Sequence, residues 1–275
     1  MISAPTLPTA FTPAAVAAYL DRIGYDGPTT PSLATLQGIY RAHLFNVPFE
    51  NLDIVPFGRP LSLEPAALYD KIVRRHRGGF CYELNGLLGT MLRELGYDVT
   101  IVSVQFVEAD GSFSPLFEHM ALVVTTVDSP HPWLVDGAGG RNSTASPLPL
   151  LEGSAEFQAD VQRGFRLRST GDRWQLDEQV PGEDWVPEYT FQLIPRVLSD
   201  FADRCRYQEQ DPESYFRQGS VCSLPTPSGR VTLSKDRLIT TIGSERHERE
   251  VCENEFADLL RVRFGIELSS DQSSH

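Results

Sequence analysis

A cysteine stands where a glycine turn gives way to an amphipathic helix, in the run Arg77-Gly78-Gly79-Phe80-Cys81-Tyr82-Glu83-Leu84-Asn85-Gly86-Leu87-Leu88. Behind it, Leu84, Leu87, Leu88, Met91, Leu92 and Leu95 recur at the spacing of one buried helical face. That pattern fixes a helix starting at the cysteine and a core lying against it. The paired glycines permit a tight turn and the close approach of another group. A sulfur at a helix N-terminus meets the positive end of the helix dipole and unpaired backbone N–H groups, which favour negative charge there. Cys81 is therefore the first candidate for covalent chemistry.

The chain is long for one core, at 275 residues, so two or three subdomains are expected. A formal charge of −13 argues against a nucleic-acid binder, which needs a basic surface. A few local arginines can still reverse the field inside a cleft and hold an anionic cofactor. The four cysteines, Cys81, Cys205, Cys222 and Cys252, form no C-x-x-C pair and have no histidines at zinc-ligand spacing. No metal is expected, and reduced thiols are the better reading than a disulfide framework. The first residues lack a secretory pattern, and no apolar run approaches a membrane span. A cytoplasmic protein without membrane or nucleic-acid partners is expected.

The first third reads as helical. Thr12-Pro13 opens one helix, Ser32 another, and a third runs from about Glu64 to Arg75. The middle turns to β-type runs at Val99 to Val107, Met120 to Val127, Trp133 to Val135, Phe165 to Thr170, Arg173 to Leu176 and Tyr189 to Leu193. These predict a mostly antiparallel sheet or barrel. Val231 to Leu233 and Arg237 to Ile242 follow as strands. The spacing then predicts a helix over Glu248 to Phe264, and a disordered polar tail from Ser269.

A cysteine nucleophile needs a base, and the base needs a group that fixes its orientation. Among six histidines, His119 immediately precedes the apolar strand beginning at Met120, while the strand Trp133-Leu134-Val135 delivers Asp136 at its end. If these two strands are antiparallel neighbours, His119 and Asp136 lie side by side. Taken singly, each residue has a plainer role as buried thiol, strand-edge histidine or turn-forming aspartate. Their joint placement at element ends is what points to a Cys-His-Asp array.

The segment RGGFCYELNGLL, preceded by VPFENLDI and followed by EHMALVV and WLVDGAGGR, resembles the arylamine N-acetyltransferase family, and the similarity runs from about Tyr19 to Leu268. The resemblance implies an α+β fold with an N-terminal helical bundle (1–96), an antiparallel β-barrel (97–205), an α/β lid (206–268) and a cysteine-protease-like core. It implies a catalytic triad of Cys81, His119 and Asp136. It also implies ping-pong acetyl transfer from acetyl-CoA to aromatic amines or hydrazines, a role in xenobiotic metabolism. An amide synthase of the same fold, acting on a longer acyl thioester, would keep the triad. A papain-like or transglutaminase-like thiol hydrolase is the reading outside acyl-CoA chemistry.

By the same resemblance Phe49 lines the acceptor pocket, where its ring would stack on an arylamine. Phe106, Phe117 and Glu118 are further candidates for substrate contact. Gly137, Gly139 and Gly140 fall in the loop that lets the pantetheine arm approach backbone, and Tyr207 matches a CoA-contacting position. The order Gly137-Ala138-Gly139-Gly140 departs from the family's usual loop, and Glu213 puts an acid where the relatives have a neutral polar residue. Arg77 and Glu83 are expected to brace the cysteine turn.

Overall fold

The computed structural model describes residues 11–138, 143–159, 162–243 and 245–268. Helices come first: α1 (Pro13–Arg22), α2 (Leu33–Asn46), a short α3 (Pro65–Tyr69) and α4 (Cys81–Glu94). Thr12 caps α1, its hydroxyl accepting from the Ala15 amide, and Ser32 caps α2 through the Thr35 amide. The third helical stretch spans the expected range, from Pro65 to Arg74. It widens into a π turn over Asp70–Arg74, which carries Lys71, Ile72 and Val73 inward.

Eight antiparallel strands form the main sheet: β2 (Asp98–Phe106), β3 (His119–Thr125), β4 (Trp133–Val135), β5 (Leu148–Pro149), β6 (Ala155–Gln158), β7 (Arg163–Thr170), β8 (Arg173–Gln179) and β9 (Val186–Phe191). Their order is β5-β4-β3-β2-β9-β8-β7-β6. The sheet curls so far that its two edges meet through a side chain. Gln158 on β6 accepts from the Ala145 amide at 2.6 Å and donates to Ser146 O at 3.1 Å, just ahead of β5. The arrangement is α+β with a nearly closed barrel-like sheet.

Strand β3 is apolar on both faces because both are covered. Met120, Leu122 and Val124 join the core beneath α4, while Ala121 and Val123 join the interior of the curled sheet. Helix α4 lies so near β3 that a Cβ at Gly89 would come within 3.0 Å of Leu122.

A second, five-stranded antiparallel sheet runs β1 (Phe49–Glu50), β10 (Val221–Thr226), β11 (Gly229–Ser234), β12 (Arg237–Ile242) and β13 (Glu245–Glu250). Helix α5 (Ala202–Gln210) leads into it and α6 (Glu253–Phe264) closes it. Because α5 runs continuously past Cys205, a division between 205 and 206 falls inside a helix. The helix expected over Glu248 to Phe264 is corrected at its start: residues up to Glu250 belong to β13, and only Glu253 onward is helical. Leu260 and Phe264 of α6 are buried against Cys222 and Leu233. Among the described residues no helix is long and apolar enough to cross a membrane. The tail from Ser269 lies outside the described residues.

Candidate active site

Cys81 is the first residue of α4, and the turn before it is held from three sides. The Glu50 amide donates to Gly79 O at 2.9 Å, and the Gly79 amide reaches Pro48 O at 3.3 Å. A Cβ at Gly78 would lie 1.9 Å from Pro48 O, so no side chain fits there. Glu83 reaches back three residues, to just before the cysteine, accepting from the Phe80 amide at 3.1 Å, and thereby caps the helix.

A buried charge cluster lies behind this turn. Lys71 Nζ sits 2.7 Å from Glu83 and 2.8 Å from Asp53. Arg77 lies 2.8 Å from Glu50 and 3.2 Å from Asp53. Burial works against the Lys71 ammonium, but the surrounding carboxylates outweigh it and hold its pKa above the usual lysine range. Arg77 and Glu83 thus brace the turn as expected, though each through other partners rather than each other.

The other two residues arrive from the sheet. β3 pairs antiparallel with β4, with Leu122 opposite Val135, so the start of one strand lies beside the end of the other. His119 Nε2 is 2.8 Å from Asp136 Oδ2, with both side chains almost wholly buried. That leaves Nδ1 for Cys81, whose hydrogen bond and charge both act on the ring. Burial alone would lower the His119 pKa. The Asp136 carboxylate and the Cys81 sulfur overcome it and lift the value to about 10. Asp136, which burial alone would raise, is held below the usual carboxylate range by His119, Asn85 and the Ala138 amide.

Three residues whose part the sequence reading missed complete this geometry. Asn85, one turn after Cys81, donates to Met120 O at 2.6 Å and to Asp136 Oδ1 at 3.0 Å, and accepts from the Gly137 amide at 3.1 Å. An amide on an otherwise apolar helix face was the available signal. Tyr40 Oη lies 2.8 Å from Asp136 O and 2.6 Å from Thr144 O, pinning the loop after β4. Tyr82 Oη lies 2.6 Å from Phe117 O and 3.1 Å from Glu118 O, the two carbonyls just before the histidine.

The Tyr82 contact matters because Phe117 has a φ of 63°, a left-handed conformation that disfavours a branched or bulky side chain. Ser103 Oγ accepts from the Phe117 amide at 2.8 Å, and the ring packs edge-on against Phe201. Tyr82→Phe removes one donor and leaves a carbonyl short of its partner, a cost of roughly 1–3 kcal/mol. The expected result is a lower melting temperature and a slower reaction at the cysteine. Equal melting curves and equal rates for the variant and the parent protein would refute the bracing role.

Cys81 and His119 open on a cavity of about 870 Å³. Phe49, Phe106, Glu118 and Tyr207 line it. Phe106 also packs on the His119 ring, with centroids 5.5 Å apart. Phe216, Arg163, Arg204, Arg230, Arg246 and Glu213 are further parts of the wall. Burial, reinforced by Arg163, lowers the Arg230 pKa to about 10.

Two residues expected to meet substrate or cofactor lie away from this wall. Phe117 is not part of this wall, because its ring is taken up by Phe201 and lies under the Arg196 guanidinium. Gly137 is not part of it either: its amide is committed to Asn85, and Ala138 faces the cavity instead. Gly139, Gly140 and Arg141 lie outside the described residues. Among the described residues no group of three or more His, Cys, Asp or Glu is arranged to hold a metal ion.

The family model described as N-acetyltransferase matches residues 32–273. An arylamine N-acetyltransferase of Mycolicibacterium smegmatis is 37% identical over 254 residues, covering 91% of each chain. Among solved structures, the Mycobacterium marinum arylamine N-acetyltransferase in complex with CoA superposes with a TM-score of 0.83. It shares 33% identity over 91% of this chain and 92% of that one. The enzyme from Salmonella typhimurium gives a TM-score of 0.85 at 27% identity, over 94% of each chain.

Proposed function

This chain belongs to the arylamine N-acetyltransferase family, and from that premise we propose that it carries acetyl groups from acetyl-CoA to arylamines and arylhydrazines through a thioester on Cys81. The observation that carries this reading is a helix-terminal Cys81 and His119 on one cavity, with Asp136 buried behind the histidine and hydrogen-bonded to it. In the reactive state the Cys81 proton is held on His119, and Asp136 stabilises that imidazolium. The sulfur attacks the acetyl carbonyl, and His119 returns the proton to the departing CoA sulfur. In the second half, the amine attacks the Cys81 thioester, His119 receives the amine proton, and the cysteine sulfur is released. One thioester replaces another at little energetic cost, which suits a shuttle.

Aromatic rings of Phe49, Phe106 and Phe216 offer a stacking wall for an aryl group. Arg230, together with Arg163 (ion-paired to Glu178) and Arg246 (ion-paired to Glu248), brings guanidinium donors to the same cavity for the phosphates of the donor. We read the cysteine-protease-like arrangement of helical part, barrel-like sheet and lid as the frame of this chemistry. A cytoplasmic setting is consistent with four free thiols.

Mass spectrometry tests the reading directly. Incubation with acetyl-CoA should add about 42 Da, one acetyl group, to the peptide carrying Cys81, and an arylamine should then remove it. An unmodified protein, or an adduct that no arylamine discharges, overturns the proposal.

A further inference from the structure

Directly before the base, Glu118 turns its side chain into the cavity and is fully engaged there. Arg204 on α5 donates through Nε to Glu118 Oε2 at 2.5 Å, with a second guanidinium nitrogen also in contact. Gln208, one turn further along α5, donates to Oε1 at 2.8 Å. Gln208 is itself buried and its carbonyl oxygen accepts from Ser214 Oγ at 2.7 Å. The Arg204 guanidinium lies over the Tyr207 ring, 4.0 Å from its centroid. Each charge is therefore fixed in place, and about a fifth of each side chain remains accessible.

Two consequences follow from this geometry. The carboxylate cannot swing to the sulfur and act as a second base, because both its oxygens are held. The wall beside Cys81 and His119 also carries a cation and an anion that cancel each other, in a partly desolvated place where a single charge acts strongly. We propose that the Glu118–Arg204 pair determines the charge selectivity of the acceptor site. Paired, it admits uncharged rings. Unpaired, it favours acceptors of the charge opposite to the residue left behind. This rests on the acetyl-transfer reading, since an acceptor must reach Cys81 past this wall.

The test uses three arylamines that differ in the para substituent: a carboxylate, a methoxy group and a trimethylammonium group. Selectivity is kcat/KM for each charged amine divided by that for the methoxy compound, within each protein. Glu118→Gln leaves Arg204 as an unbalanced cation, and the carboxylate ratio should rise about tenfold while the trimethylammonium ratio falls. Arg204→Gln leaves Glu118 unbalanced, and both ratios should move the opposite way. Arg204→Lys keeps the charge and should return the ratios toward those of the parent protein.

Ratios that stay unchanged in both glutamine variants, or that move in the same direction in both, overturn the proposal. The acetylation half-reaction, followed by mass gain on Cys81, keeps the two readings apart. If no acetyl-enzyme forms in the parent protein, the acetyl-transfer reading has failed. The pair is then judged by calorimetric affinities of the same three compounds for the cavity, where the same sign pattern is required.

Discussion

Cys81→Ala should abolish acetyl transfer and the mass gain together, with kcat/KM falling by at least about 10³-fold, since loss of a covalent nucleophile leaves only binding and orientation. The other thiols cannot replace it. Burial pushes the Cys205 thiol up to about 12 and holds Cys222 well above the ordinary thiol range, so neither is ionised near neutrality. Cys252 is exposed and sits at the N-cap of α6, in the second sheet's layer. The substitution deletes one sulfur from a well-packed site, so the variant should remain folded. Peptide mapping after acetyl-CoA treatment, beside a thermal melt, checks both halves. Acetyl found on Cys252 or Cys205 in the parent protein would remove Cys81 from the mechanism.

Asp136→Asn should cost about as much while acting through another atom. The amide keeps the shape and still accepts from the Ala138 amide, but it cannot hold an imidazolium. A loss of about 10³- to 10⁴-fold in turnover is expected, by the size of the same change in other triads. The variant also has a signature in stability. In the parent protein His119 titrates near 10, above its ordinary 6.5. Its contribution to stability is therefore fully present below pH 6.5 and is lost as the pH rises towards 10. Asp136 titrates below its ordinary 3.8, so its contribution is present above that value and is lost as the pH falls through the lower folded one.

With the carboxylate gone, burial dominates and pulls His119 below 6.5. The sign then reverses, and the variant loses stability as the pH falls through 6.5. Imidazole NMR should show His119 protonated at pH 8 in the parent protein and neutral at pH 8 in the variant. Identical imidazole titrations in the two proteins would show that Asp136 does not govern the base.

The parts of this site that could be read in the sequence are those marked by element boundaries. Cys81 follows a glycine pair, His119 precedes a run of apolar residues, and Asp136 ends a three-residue strand that the structure reproduces at Trp133–Val135. Asn85, Tyr40 and Tyr82 act across 35 to 104 residues of sequence through one or two polar atoms each. Apart from the Asn85 amide on an apolar helix face, nothing local distinguishes them from ordinary helix residues, because their role exists only after the sheet has folded against α4. Arg204 and Gln208 were missed for the same reason, on a helix that showed no apolar periodicity.

The error at β13 has a physical cause of its own. Glu245 to Glu250 is built mainly of the good helix formers Glu and Arg and carries no apolar alternation. Its partner decides its state: Arg237 on β12 reaches Glu248 at 2.5 Å, and the two strands pair along their whole length. An exposed edge of alternating charge also resists pairing with another chain. Local propensity gives way to tertiary pairing here.

Helix α4 carries the nucleophile at Cys81, touches the backbone ahead of the base through Tyr82, and holds the acid through Asn85. All three contacts come from the first five residues of a single rigid rod, so vibration of that rod displaces them in unison and leaves their spacings intact. The array is in this sense portable. A designer seeking to install it elsewhere would need one helix end and two adjoining strand tips, held in register, and could redraw the remaining walls for a different cargo.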